Sequence, residues 1–284
     1  MPRQTGKWGT IMLMRRAVFA LRAAITALIV AVSVTGPVAG PLEDAEAAMR
    51  RGNYEAAMRV SRPLAEKGDT RFQYLLGAMY QHGLGTPQDF EAAVSWFRKA
   101  ADQGHAPSQF ELGRMYAFGR GVPQDETEGA HWFRKAADQG HADAQAVLGA
   151  MYVTGSGIPQ DNTAAASWFQ KSANQGNAQA QSMLGDLYYK GQGVAQDYAA
   201  AMSWYQKAAN QGNANSQVVL GAMYFLGQGV PKDSVNAYKW LSLAAARGAK
   251  YAEDMRNTVA AKMTSTQIAK AQRLTREWKP KLER

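Results

Sequence analysis

The chain contains no cysteine. That absence removes disulfide frameworks, thiol nucleophiles, cysteine-based zinc sites and a lipid anchor on an N-terminal cysteine, and it leaves the redox compartment open. Histidine is scarce as well. The four are His82, His105, His131 and His141, and no His-x-x-x-His or Glu-x-x-His run sets ligands on one helix face. No serine stands in a nucleophile-elbow context. The Gly-x-Gly pairs, such as Gly119 and Gly121, follow a helical pattern and no strand, so they read as helix breakers and not as a dinucleotide loop. Nothing looks catalytic, and no cofactor or metal is expected.

Charge of one sign is missing from the body of the chain. The formal net charge of +9 sits at the ends: residues 1–40 carry five cations and no acid, residues 247–284 carry ten against four, and residues 41–246 carry 17 against 19. Without a basic stripe, nucleic acid is not an expected partner. Long apolar runs are also few. One stretch runs from Ala17 to Val34, interrupted by Arg22, and its part after that arginine, Ala23 to Val34, is 12 residues. Spanning a bilayer takes roughly 20. Preceded by Arg15-Arg16 and followed by Thr35-Gly36-Pro37-Val38-Ala39-Gly40, the segment 1–40 reads as an export signal, pointing to the bacterial periplasm. Val38-Ala39-Gly40 and Ala31-Val32-Ser33 are both candidate cleavage sites, Met12 or Met14 is a candidate start, and an uncleaved membrane anchor through 17–34 is the alternative.

What the chain has in abundance is a repeat. The stretch Asp69 to Gly104 recurs four more times without insertion or deletion, from His105, His141, Asn177 and Asn213, so that Gly77, Gly113, Gly149, Gly185 and Gly221 keep a spacing of 36 residues, as do Trp96, Trp132, Trp168, Trp204 and Trp240. A fixed period of this length marks a stacked array of helical units. Each unit parses as two helices. In the second, helix A covers about Ala106 to Ala117, the glycine pair breaks it, and Pro123-Gln124-Asp125 opens helix B, which ends at Gly140. Asp89, Asp125, Asp161, Asp197 and Asp233 fall at the N-cap of helix B, where a carboxylate accepts from free backbone N–H groups. Gly104 and its equivalents fall where a left-handed C-terminal cap wants glycine. Asp69, His105, His141, Asn177 and Asn213 share a capping position before helix A. Residues 41–68 read as a worn unit capping the N-terminal end, since Asn53-Tyr54-Glu55-Ala56-Ala57 lies 36 residues before Asp89-Phe90-Glu91-Ala92-Ala93. Residues 249–284 read as a C-terminal cap, with a last A-type helix over Lys250 to Lys262 and a capping box, Thr264 with Gln267, opening a helix to about Trp278.

The pattern LGxMYxxGxGVPQDxxxAxxWFxKAAxQG, seen in LGRMYAFGRGVPQDETEGAHWFRKAADQG from Leu112 to Gly140, resembles the Sel-one-like repeat family, relatives of the tetratricopeptide repeats. The resemblance covers 69–248, more weakly 41–68. It implies an all-α, right-handed α/α superhelical solenoid of five helix-pair repeats with a cap at each end. It also implies a scaffold or adaptor that binds other proteins, here as a monomer with a protein or peptide partner. Some exported members have been linked to β-lactam binding, but those are cysteine-rich. The alternative reading is an envelope glycan-binding or amide/β-lactam-hydrolysing enzyme.

Comparison of the five units with one another separates framework from variation. Gln109, Leu112, Gly113 and Tyr116 hold their identity, and their i, i+3, i+4, i+7 spacing makes one packing face. Positions 107, 110, 111 and 114 vary and lie about 200° round the helix, so they are expected to face away from the packed core. In a superhelix of the implied kind they line the concave surface. The candidate partner-binding residues are Arg71, Tyr74 and Ala78; Phe110 and Arg114; Asp143 and Ala146, with Ala150; Gln179, Ser182 and Asp186; Asn215 and Val218, with Ala222. Aromatic and arginine side chains dominate interface hot spots, which puts Tyr74, Phe110 and Arg114 first and the charge of Asp186 next.

Overall fold

A computed structural model of the chain describes residues 40–281. The export-signal reading of 1–40 falls, but for Gly40, outside the described residues. Among the described residues there are fourteen α-helices and no strand. The chain divides into two compact units, Met1–Lys99 and Ala100–Arg284.

In the first unit, α1 (Pro41–Arg50), α2 (Tyr54–Glu66), α3 (Thr70–His82) and the greater part of α4 (Phe90–Asp102) follow one another. Asn53 caps α2 through its side chain, which accepts from the Ala56 N–H, as the matching aspartates do in the repeats. Ala45, Ala57, Met58, Phe72, Leu76 and Met79 form the core of the unit. Arg62 donates to the Tyr80 hydroxyl at 2.8 Å, tying α2 to the end of α3.

The second unit holds four A/B pairs and the C-terminal helices. The pairs are α5 (Ala106–Phe118) with α6 (Glu126–Asp138), α7 (Ala142–Thr154) with α8 (Asn162–Asn174), α9 (Ala178–Lys190) with α10 (Tyr198–Asn210), and α11 (Ala214–Leu226) with α12 (Ser234–Ala245). Each B helix packs on its own A helix and on the A helix that follows. The expected stops and starts are present. Gly119 ends α5 in the left-handed region at φ 62°. The Asp125 carboxylate accepts from the Thr127 and Glu128 N–H groups at 2.9 and 3.0 Å. Before the A helices the cap is less uniform: Asn177, Asn213 and the Nδ1 of His141 accept from backbone N–H groups, whereas His105 turns its Nδ1 to the Ser108 hydroxyl at 2.8 Å.

The Pro-Gln-Asp turn is explained by two contacts. The Asp125 N–H returns to the Tyr116 carbonyl at 3.0 Å, and Gln124 Nε2 donates to the Ala117 carbonyl at 3.1 Å, so the loop is sewn to the helix it leaves. The second glycine of the Gly-x-Gly pair does more than break a helix. At Gly157, φ is 69° and an added Cβ would stand 2.2 Å from the Glu126 carbonyl oxygen, so the loop of one repeat rests directly on the first turn of the previous B helix.

Within each pair, the helix-A glycine receives a helix-B side chain. A Cβ on Gly149 would meet the Phe169 ring at 2.8 Å, and Phe169 is 1% exposed. Phe133, Tyr205 and Leu241 fill the same place against Gly113, Gly185 and Gly221. The neighbouring tryptophans lie instead beneath a lysine of their own helix. Lys135 Nζ stands 4.3 Å from the Trp132 ring centre, Lys171 4.0 Å from Trp168 and Lys207 4.2 Å from Trp204, a cation–π row repeated along the unit.

A buried glutamine ladder crosses the repeat junctions. Gln145 Nε2 donates to the Ala137 carbonyl at 3.0 Å, while its Oε1 accepts from Gln175 Nε2 at 2.7 Å. The same pair of bonds joins Gln181 to Ala173 and Gln211. The run ends at Gln217, whose Nε2 reaches the Ala209 carbonyl at 3.1 Å but whose Oε1 has no hydrogen-bond partner. Beyond it come α13 (Ala252–Ala260) and α14 (Ser265–Glu277), the latter opened by the expected Thr264–Gln267 capping box and packed on α12. The A-type helix of the cap is shorter than its sequence pattern suggested, because Tyr251 takes the left-handed region at φ 63° and the helix starts after it.

The contact at Gly149 predicts a specific coupling. Gly149→Ala is expected to lose about 1–3 kcal/mol through overpacking, and Phe169→Ala about 3–5 kcal/mol. In denaturant unfolding, the double variant should lose clearly less than the sum, because the smaller side chain makes room for the added methyl. Additive losses would show that ring and glycine do not constrain each other.

Candidate interaction surface

The varying positions of the A helices come together along one side of each unit, but less openly than their spacing suggests. In the second unit, Asp143 and Asn215 are exposed and Gln179 is half-buried. Phe110, Ala146 and Val218 are half-buried, and Ser182 is buried. At the last position Ala150, Asp186 and Ala222 are half-buried while Arg114 is only 9% exposed. In the first unit Arg71 is exposed, with Tyr74 and Ala78 half-buried.

Arg114 and Ser182 therefore correct the expectation that this stripe turns away from the core. The reason is that an A helix meets the next A helix as well as its own B helix. Ser216 Oγ of α11 lies 2.9 Å from Ser182 Oγ of α9, Asn177 Nδ2 donates to Asp143 at 2.8 Å, and the Phe110 ring stacks on His141 at 4.8 Å. A side chain 200° from the pair contact still falls beside a neighbouring repeat.

Two polar groups depart from the repeat pattern. The first is an ion pair on α5: Arg114 Nη1 donates to both Glu111 carboxylate oxygens at 3.1 and 3.0 Å, and the pair is largely buried. The Arg114 guanidinium lies 6.0 Å from the Phe110 ring centre. Glu111 was legible in principle. It is the one acid in the series Leu75, Glu111, Val147, Met183, Val219, and it stands three residues before the one arginine of the next series. The second is Asp186 on α9, which accepts from the Tyr205 hydroxyl at 2.5 Å. Burial raises the Asp186 carboxyl above its ordinary value, against the opposing pull of the Tyr205 hydroxyl bond and of Lys190. Burial and the Asp186 charge push the Tyr205 phenol up as well. His141 is shifted down by burial, opposed by the charges of Asp143 and Glu111, which suits a neutral ring whose Nδ1 accepts from the Ala144 N–H at 3.2 Å.

In the first unit the Arg71 guanidinium grips Asp69, with Nη2 at 2.7 Å from its carboxylate, and this bond holds the Asp69 carboxyl below the usual range. The Tyr74 ring lies 5.8 Å from Phe97. Among the described residues no group of three or more His, Cys, Asp or Glu side chains is placed to hold a metal ion. No described helix is long and apolar enough to cross a membrane.

Paired antiparallel helices at a fixed 36-residue period, with polar ties between consecutive repeats of the second unit, define an α/α repeat protein. Comparison with known families makes this specific: the Sel1 repeat model matches residues 70–105, 106–141, 142–177, 178–213 and 214–248, and the chain belongs to that family. A Sel1 repeat protein from Oxalobacter formigenes is 32% identical over 71% of this chain and 83% of its own, with a TM-score of 0.68. A protective antigen of uropathogenic Escherichia coli strains, displaying an SLR fold, is 26% identical over 84% of this chain and 68% of its own, with a TM-score of 0.42. An immunity protein from Pseudomonas aeruginosa is 20% identical over 78% of this chain and 84% of its own, with a TM-score of 0.45. No curated protein sequence matches the chain. Sel1 repeat proteins are generally scaffolds for protein–protein interaction, typically without enzymatic activity.

The Asp186 geometry has a pH signature. A carboxyl whose folded value lies above the unfolded one binds its proton more tightly in the native state, so its contribution to stability falls as pH rises from about 3.8 toward neutrality. Asp186→Asn keeps an acceptor for Tyr205 without the buried charge. Its melting temperature should match the native chain near pH 3.5 and exceed it by roughly 2–4 °C near pH 7. A difference independent of pH would refute the assignment.

Proposed function

We propose that the chain is an exported interaction scaffold that takes a protein or peptide partner on the A-helix face of the second unit, with Phe110, Asp143 and Asp186 as principal contacts; Arg71 and Tyr74 hold the equivalent repeat positions within the first unit. Membership of the Sel1 repeat family supports the scaffold class. The observation that carries the choice of face is Asp186. Three repeats place alanine at this position, Ala78, Ala150 and Ala222, and the array stacks well with it. Asp186 holds a half-buried carboxylate there at a desolvation cost, bonded to the Tyr205 hydroxyl, and a perturbed acid on a varying face points to recognition. Phe110 adds an aromatic surface on the same face, and Asp143 an exposed charge. Arg114, already held by Glu111, acts by positioning the Phe110 region and not as a free cation. Export is supported by the basic, apolar and small-residue order of residues 1–40.

Crosslinked co-purification of the tagged full chain from cells tests the binding face. Tyr74→Ala, Asp143→Arg and Asp186→Asn are combined, while Phe110 is kept because it packs against Phe133 and His141. Recovery of the partner is expected to fall by about tenfold or more, as for loss of interface anchors, with helicity unchanged. Equal recovery would move the partner off this face. Cell fractionation with N-terminal sequencing checks the address: a periplasmic species beginning shortly after Ser33 or Gly40 is expected, and a cytoplasmic one with an intact N-terminus would overturn export.

A further inference from the structure

We propose that the C-terminal ends of α10 and α12 form a second, peptide-binding site, distinct from the A-helix face. Its occupant is an extended segment with an aromatic side chain followed by lysines, and the chain's own Trp278–Lys281 holds the site closed. This inference is independent of the proposed A-helix interface.

After α14 the backbone leaves the helix at Trp278, with φ −70° and ψ 135°, and runs on without regular structure through Lys281. Three contacts seat it. The Trp278 ring meets Trp240 edge-on at 6.4 Å between centres, the Arg247 guanidinium lies 4.8 Å over the Trp278 ring, and the Lys281 N–H donates to the Asn210 carbonyl at 2.8 Å. Asn210 is the last residue of α10, so this carbonyl belongs to the negative end of a helix, and Lys279 and Lys281 arrive there with positive charge. An aromatic anchor between a ring and a guanidinium, a main-chain hydrogen bond and cations at a helix C-terminus together describe how a peptide is recognised.

The site is also built to be vacated. Position 247 corresponds to Gln139, Gln175 and Gln211, each of which donates to the glutamine of the ladder in its own junction. Arg247 replaces that donor. Its backbone keeps the repeat's register, since Arg247 N–H bonds Ala244 as Gln211 N–H bonds Ala208. Its side chain, however, is turned to Trp278 and to the Leu243 carbonyl at 3.2 Å. Gln217, fully buried, is consequently left with an unpartnered Oε1. When the tail leaves, the guanidinium is free to supply that missing donor. Release of the segment is thereby offset by a hydrogen bond that the closed state forgoes. A tethered tail competes at an effective concentration in the millimolar range, so a partner segment needs an affinity better than that to take its place.

The test uses the full chain and a fluorescein-labelled heptapeptide with the sequence of residues 275–281, TREWKPK. Trp278→Ala removes the resident anchor, and fluorescence anisotropy should show this variant binding the peptide at least about tenfold tighter than the native chain. Binding should vanish when the peptide's tryptophan is replaced by alanine, or when Arg247→Ala is added. Equal affinity for the native and Trp278→Ala chains, or binding to neither, overturns the proposal. A native dimer that Trp278→Ala abolishes also overturns it, by assigning the site to a second copy's tail. A second variant guards against a folding artefact. Arg247→Gln restores the ladder donor and removes the partner of Trp278, so the Lys281 amide should exchange at least about tenfold faster with no fall in melting temperature. A Lys281 amide that stays protected, or a variant that melts lower, counts against the coupling.

Discussion

The contact on which the array depends is a glycine on helix A pressed against a side chain of helix B, a ring in every repeat but the last. An added Cβ on Gly113, Gly149 or Gly185 would stand 2.8 or 2.9 Å from its partner ring. The pair thus packs closer than a Cβ at the glycine position would allow. Close packing of this kind is unforgiving, because cores transmit strain instead of absorbing it. It explains why the glycine persists through five repeats while positions 107, 110, 111 and 114 and their equivalents drift.

Apolar packing alone would let repeats slide along one another, and polar ties give the stack its register. The glutamine ladder, the loop glutamines and the Arg134 bond to the Tyr152 hydroxyl each join groups at a set offset. Among the described residues, the buried side-chain atoms without a hydrogen-bond partner, Gln217 Oε1 and Ser242 Oγ, lie at the last junction. Ser242 stands where Arg134 stands three repeats earlier, and the tyrosine position that would follow it is taken by Ala260. The glutamine ladder fails where the period stops, so the weakest polar bookkeeping of the described residues falls where the C-terminal cap takes over.

The fold was legible because every repeat states the same instructions. N-cap aspartates, C-cap glycines, the Gly-x-Gly breaks and the Thr264–Gln267 box are local signals, and local signals survive without knowledge of the neighbours. The surface was less legible. Helical spacing places Arg114 and Ser182 on the right side of their own helix, yet it says nothing of the adjacent A helix that covers them. Likewise, Gln109 read as part of a packing face, while its role in a ladder became visible only through the carbonyl of Ala101 and the amide of Gln139. What sequence could have offered was comparison of exceptions: Glu111 beside Arg114, and Arg247 in a column otherwise filled by glutamine.

Exceptions of that kind carry the functional information in a repeat protein. A residue that all units share is accounted for by stacking, whatever else it does. A residue that one unit changes, at a position where the others pack without difficulty, needs a separate cause. Drift supplies that cause at exposed sites, where a substitution costs almost nothing. It does not do so for Asp186, whose carboxyl is held away from water, or for Arg247, whose choice of partner leaves a buried acceptor open. In both places the chain departs from its own consensus against a physical penalty, and those departures are the grounds for the two proposed sites.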